Sequence, residues 1–129
     1  VVVGQVSATD MWFDGKMWAF GEIESNQVAF GTARVDTDGT LLDAGGYVSG
    51  SSKLATGKYN IDLSTAATSI NNVIVVANAS GAFGGPYMAT FDRASSGAND
   101  IVVLTQNESG TNADVGVDVT IYDLGQPVV

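Results

Sequence analysis

Strict alternation of apolar and polar residues, repeated in segment after segment, limits this chain to β-structure. In "KYNID", Tyr59 and Ile61 fall on one face, continued by Leu63, with Lys58, Asn60 and Asp62 on the other. A period of two places successive side chains on opposite faces of a strand, and a helix would scatter the same pattern around its axis. "VGVDVTIYDL" sets Val115, Val117, Val119 and Ile121 against Asp118, Thr120 and Tyr122. "PYMATFD" sets Tyr87, Ala89 and Phe91 against Met88 and Thr90. "VIVVAN" and "DIVVLTQ" are apolar on both faces, which fits central strands or strands that face a neighbouring subunit. With "QVAFGTARV" and "GYVSGSS" the set comes to about seven strands. The residues expected to be buried are Tyr59, Ile61, Leu63, Phe91, Val117 and Val119. Only "STAATSINN", Ser64 to Asn72, has room for a helical turn.

Between these segments stand "DTDGT", "SGSS", "SGAFGGP", "ASSGAND" and "NESGTNAD", clusters rich in Asx-turn and glycine-turn residues. Their close spacing is that of an antiparallel sandwich or barrel. The expected fold is therefore all-β: an antiparallel, jelly-roll-like β-sandwich of about seven to eight strands, preceded by an N-terminal β-hairpin. At 129 residues the chain holds one core and is too short for two. Composition shifts near residue 25. That divides an N-terminal strand and hairpin (1–25), read as an assembly element, from a sandwich domain (26–129).

The hairpin is "MWFDGKMW", Met11 to Trp18, which holds both tryptophans and two of the three methionines. Asp14-Gly15 between apolar residues signals a type I′ turn, whose central positions need positive φ. A two-residue loop places Phe13 opposite Lys16, Trp12 opposite Met17 and Met11 opposite Trp18. Each Trp–Met pair is then a cross-strand contact. Three roles are open to it: capping the core of its own chain, packing with copies of itself about an oligomer axis, or presenting tryptophans to a carbohydrate. A two-stranded ribbon is marginal in water, and so much aromatic surface needs cover. Met11, Trp12, Phe13, Met17 and Trp18 are accordingly the expected oligomer interface.

Charge narrows the partners. A formal net charge of −9 repels phosphate and anionic lipid, which argues against nucleic-acid binding. No apolar run is long enough to span a membrane as a helix. Cysteine and histidine are absent, which removes disulfides, the commonest general base and the commonest transition-metal ligand. No G-x-S-x-G elbow occurs, and "GAFGGP" lacks the lysine of a phosphate loop. Glu22 and Glu24 share a strand face, but a glycosidase dyad needs a set separation across a cleft. No catalytic residue, cofactor or metal is expected. "DTDGTLLD" offers Asp36, Asp38 and Asp43 as oxygen ligands for calcium, yet the remaining ligands of an EF-hand are missing and an Asp-Gly hairpin turn is the commoner meaning. The chain opens on Val1-Val2-Val3 without initiator methionine or signal peptide, which points to a processed chain or a fragment of something longer.

The stretch "VAFGTARVDTDGTLLDAGGYVSGSSKLATGKYNIDL" resembles a pattern of phage tail-fibre and related virion surface proteins. There a strand leads to "DGT" and a polar turn, then a "G-x-[FY]-x-V" strand, then "TGxYxI". "ADVGVDVTIYDLG" is similar to the closing strand of such domains, so the resemblance runs from Val28 to Gly125. It implies a compact sandwich, usually trimeric, displayed on a virion and used for attachment or assembly. It implies no catalytic residues. The Trp-Met hairpin departs from the family pattern, which leaves fibre tip, capsid decoration and appendage subunit open.

The expected function is thus a non-enzymatic virion structural protein, at the virion surface or otherwise extracellular. Its expected partners are further copies of itself, as a homotrimer, other virion proteins, and a host surface glycan or protein. Loops 80–86, 94–100 and 107–114 are the expected receptor contacts, with Phe83, Tyr87, Asn99, Asn107 and Asn112 in them or beside them, because turns tolerate variation while strands hold the scaffold. One alternative is a bacterial or archaeal filament subunit in which "VVVGQVSA" completes a neighbour's sheet by strand addition. Another is a carbohydrate-binding module that uses Trp12, Trp18 and Tyr87.

Overall fold

The computed structural model describes residues 29–80 and 86–126. The Trp-Met hairpin, Glu22, Glu24, the opening valines and Phe83 lie outside the described residues. Eight strands follow one another: β1 (Gly31–Val35), β2 (Leu41–Gly46), β3 (Val48–Ala55), β4 (Lys58–Leu63), β5 (Val73–Ser80), β6 (Tyr87–Phe91), β7 (Asp100–Asn107) and β8 (Gly116–Asp123). They form two four-stranded antiparallel sheets, in the orders β2-β1-β8-β5 and β3-β4-β7-β6. The fold is an antiparallel β-sandwich, as the alternation predicts. Its strand order is a departure from a full jelly roll, where nearly every connection crosses between sheets: here β1–β2, β3–β4 and β6–β7 each stay within one sheet.

The core is the sum of the alternating faces. Tyr59, Ile61 and Leu63 of β4 and Val117, Val119 and Ile121 of β8 point inward, and all are buried. Ala33 and Val35 of β1, Val73 of β5, and Ile101 and Val103 of β7 pack against them. Each buried Val, Ile or Leu side chain among them contributes about 1.5 to 3 kcal/mol on leaving water. Tyr59 keeps its polar tip satisfied, its hydroxyl donating to the Thr37 carbonyl (2.9 Å).

Four expectations need correction or refinement. Phe91 is only half-buried, because it ends the edge strand β6, and the Arg93 guanidinium covers its ring at 5.1 Å. Leu41–Gly46 is a strand that the alternation did not reveal: "LLDAGG" is glycine-rich, and its register shifts between Arg34 and Val35 of β1. The helical turn in Ser64–Asn72 is a single 3-10 turn, Ile70–Asn72, with Ser69 accepting from the Asn71 N–H. A second one, Arg93–Ser95, lies in a cluster read as a simple turn.

The two doubly apolar segments part ways. β7 is central, and its outward Val102 is only 2% exposed. The Arg93–Ser95 turn folds over it, with Ser96 Oγ accepting from the Val102 N–H (2.8 Å). β5 is instead an edge strand of its sheet, and its outward Ile74 and Val76 are 46% and 51% exposed.

The antiparallel ladders set the ends of the sandwich. One end carries the β1–β2, β3–β4 and β7–β8 connections, the last residues of β5 and the first of β6. The other carries the β2–β3 corner at Tyr47, the β4–β5 and β6–β7 connections and residues 124–126. At the first end Gly57 is required. Its φ is +62°, and a Cβ there would lie 2.4 Å from the Thr105 carbonyl oxygen.

Candidate interaction surfaces

The expected contact residues divide between the two ends. Tyr87 begins β6 directly opposite Asn107, and Asn112 follows in the same loop, so these three share the first end. Asn99 is at the other end, where its carbonyl accepts from the Leu63 N–H (2.8 Å). Two of the asparagines are occupied in shaping the loop itself. Asn107 Oδ1 accepts from the N–H groups of Ser109 and Thr111 (both 3.0 Å), and Asn112 Oδ1 accepts from Gln106 Nε2 (3.1 Å).

Asp114 anchors this end. It accepts from Lys53 Nζ (2.5 Å) and from the Gly57 N–H (2.8 Å). The Lys53 hydrogen bond first, then that of Gly57, holds its carboxyl below the usual range.

The acidic hairpin turn is built around its own backbone. Asp36 Oδ1 accepts from the Thr37 N–H (2.7 Å) and Asp38 Oδ1 from the Thr40 N–H (2.9 Å). The Thr40 hydrogen bonds hold Asp38 below its ordinary value. Asp43 is already on β2, opposite Arg34. Among the described residues, no three acidic, histidine or cysteine side chains gather closely enough to hold a metal ion.

On the outer face of the second sheet, Asp62 of β4 lies directly opposite Asp100 of β7. Asn60 Nδ2 donates to both, at 2.7 Å and 3.3 Å. Burial, and then the neighbouring Asp100 carboxyl, pushes Asp62 up. A carboxyl raised in the folded state favours the fold at low pH and opposes it as pH rises through the folded value. Asp62→Asn, which keeps the acceptor for Asn60, is therefore expected to melt higher than the parent at about pH 7. The gap should close once pH falls below the ordinary carboxylate value, where both states hold the proton. Thermal melts across this range check it.

The outer face of the first sheet is the most varied surface. Antiparallel register aligns Asp43 of β2, Arg34 of β1, Asp118 of β8 and Asn78 of β5 in one row. Arg34 Nε donates to Asp118 Oδ1 (2.9 Å), and this pair keeps the guanidinium charged. A shallow depression of about 350 Å³ opens over the row. Below it Thr32, Thr120 and Val76 align, and Tyr122 then lies opposite Ile74. The face thus grades from polar to apolar along the strands. The alternation named Asp118, Thr120 and Tyr122 as outward, but nothing local in the sequence brings Asp43, Arg34, Asp118 and Asn78 together.

No family model, curated protein or solved structure matches the chain.

Proposed function

We propose that this chain is a non-enzymatic structural protein of a virion surface, a tail-fibre tip or capsid decoration, which assembles as a homotrimer and serves host attachment or particle assembly. The observation that carries the assembly part is β5. Its sequence is apolar on both faces, yet it is an edge strand with Ile74 and Val76 exposed beside Tyr122. A central strand needs such a pattern to be buried between layers, and an edge strand gains from it when another chain packs there. The virion setting rests on the sequence resemblance and on the sandwich fold that it implies. The formal net charge of −9 suits a protein that must stay soluble with apolar surface on display and does not suit a nucleic-acid binder.

The native mass at micromolar concentration tests this. Three chains of 13.2 kDa are expected in one closed particle. The double variant Ile74→Ser, Val76→Ser should shift it toward single chains with an unchanged β-sheet spectrum. A parent that is monomeric would overturn the reading. The length of edge strand β5, Val73–Ser80, favours a second reading, a filament subunit extended by strand addition. Open-ended polymers in the same measurement would select it.

A further inference from the structure

We infer that the polar row on the outer face of the β2-β1-β8-β5 sheet is a binding site for a neutral, hydroxyl-rich glycan. Four side chains from four adjacent strands, Asp43, Arg34, Asp118 and Asn78, line it in register. At the spacing of neighbouring strands the row is about 14 Å long, the reach of a short oligosaccharide. The depression above it holds about 350 Å³.

The chemistry of the row selects the ligand. Arg34 Nε is committed to Asp118 Oδ1 (2.9 Å), which orients the guanidinium and leaves its terminal nitrogens as donors. Asp43 Oδ1 accepts from the Ala44 N–H (2.9 Å), leaving its second oxygen as an acceptor, as is that of Asp118. Among the described residues, the Asn78 amide has no hydrogen-bond partner and offers both a donor and an acceptor. Acceptors and donors therefore alternate along the row. Sugar hydroxyls, which donate and accept at once, match such an alternation. Two carboxylates against one guanidinium, in a chain of formal net charge −9, disfavour an anionic sugar. The guanidinium between the two carboxylates disfavours a metal cation. Below the row, Thr32 and Thr120 lie directly opposite each other and offer their carbon surface to the C–H face of a pyranose ring.

The site belongs to one chain's own sheet and does not depend on the assembly reading. It also differs from the loop contacts expected from sequence. The test is an array of neutral and sialylated oligosaccharides probed with the intact protein, followed by titration of the best neutral binder. Arg34→Gln and Asn78→Ala should each weaken that binding at least about tenfold. Native mass and melting temperature should stay at the parent's values, since both side chains are on the surface. Asn99→Ala, at the opposite end, should bind like the parent. The inference is overturned if no neutral glycan binds, if sialylated glycans bind better, or if both row variants bind as tightly as the parent.

Discussion

Replacing Ile61 by aspartate is expected to leave the chain without a stable fold at room temperature. Ile61 is 0% exposed, at the middle of β4, opposite Ser51 of β3 and Ile101 of β7. The substitution removes an aliphatic side chain from the centre of the core and puts an unpaired carboxylate in its place, where no cation of the described residues can reach it. The lost packing alone is worth about 2 to 4 kcal/mol, and burial of the charge adds several more. That sum rivals the whole stability of an ordinary domain, on the order of 5 to 15 kcal/mol. Circular dichroism and a urea melt measure it. Ile61→Val should lower the stability by only about 1 kcal/mol, which separates the charge from a change of shape. A cooperative melt for Ile61→Asp at the parent's midpoint would mean that β4 presents its other face to the core.

The second large effect is expected at Asp123, the last residue of β8. It is 1% exposed and forms no ion pair among the described residues. Instead its carboxylate accepts four hydrogen bonds: from the Thr68 N–H and Thr68 hydroxyl (both 2.7 Å), from the Gly125 N–H (3.0 Å) and from Gln126 Nε2 (3.0 Å). It fastens the β4–β5 connection to the end of the last strand. Burial pushes this carboxyl up, but the bonds from Thr68, Gln126 and Gly125 together outweigh it and hold the group below its ordinary value. Asp123→Ala strands these donors and is expected to cost on the order of 3 to 5 kcal/mol. A carboxyl lowered in the folded state adds stability above its unfolded value, and that stability is lost as pH falls through the folded value. The parent should therefore lose stability on acidification through this range more steeply than Asp123→Asn, which carries no titrating group there. Urea midpoints across the acid range test both claims. An alanine variant as stable as the parent would show that the four bonds fasten nothing.

Much of this was legible in the sequence, because the period of side chains along a strand is a local property. Tyr59, Ile61 and Leu63, and likewise Val117, Val119 and Ile121, could be placed on the inner faces by counting residues alone. The same count carries Asp123 inward, two residues after Ile121. A charged residue on the buried parity was the available signal of the fastening found there. The turn clusters, the sandwich class and the helical turn before β5 were also within reach. The Trp-Met hairpin of residues 11–18, expected from sequence as an element of association, lies outside the described residues.

What the tertiary structure decided is neighbourhood. β5 and β7 carry the same doubly apolar signature, yet one is an edge strand and the other central. That signature does not say whether the outer face is covered, as in β7, or exposed, as in β5. In β7 the Arg93–Ser95 turn supplies the cover, through the hydrogen bond between Ser96 and Val102. β2 escaped notice because "LLDAGG" forms its ladder through backbone groups, which any residue but proline provides. The polar row escaped for a related reason. Arg34 and Asp118 stand 84 residues apart, and only the order in which strand edges meet makes them partners. Alternation can state which way each side chain points. Strand order is set by which backbone edges find each other across the chain, and that is a property of the whole fold.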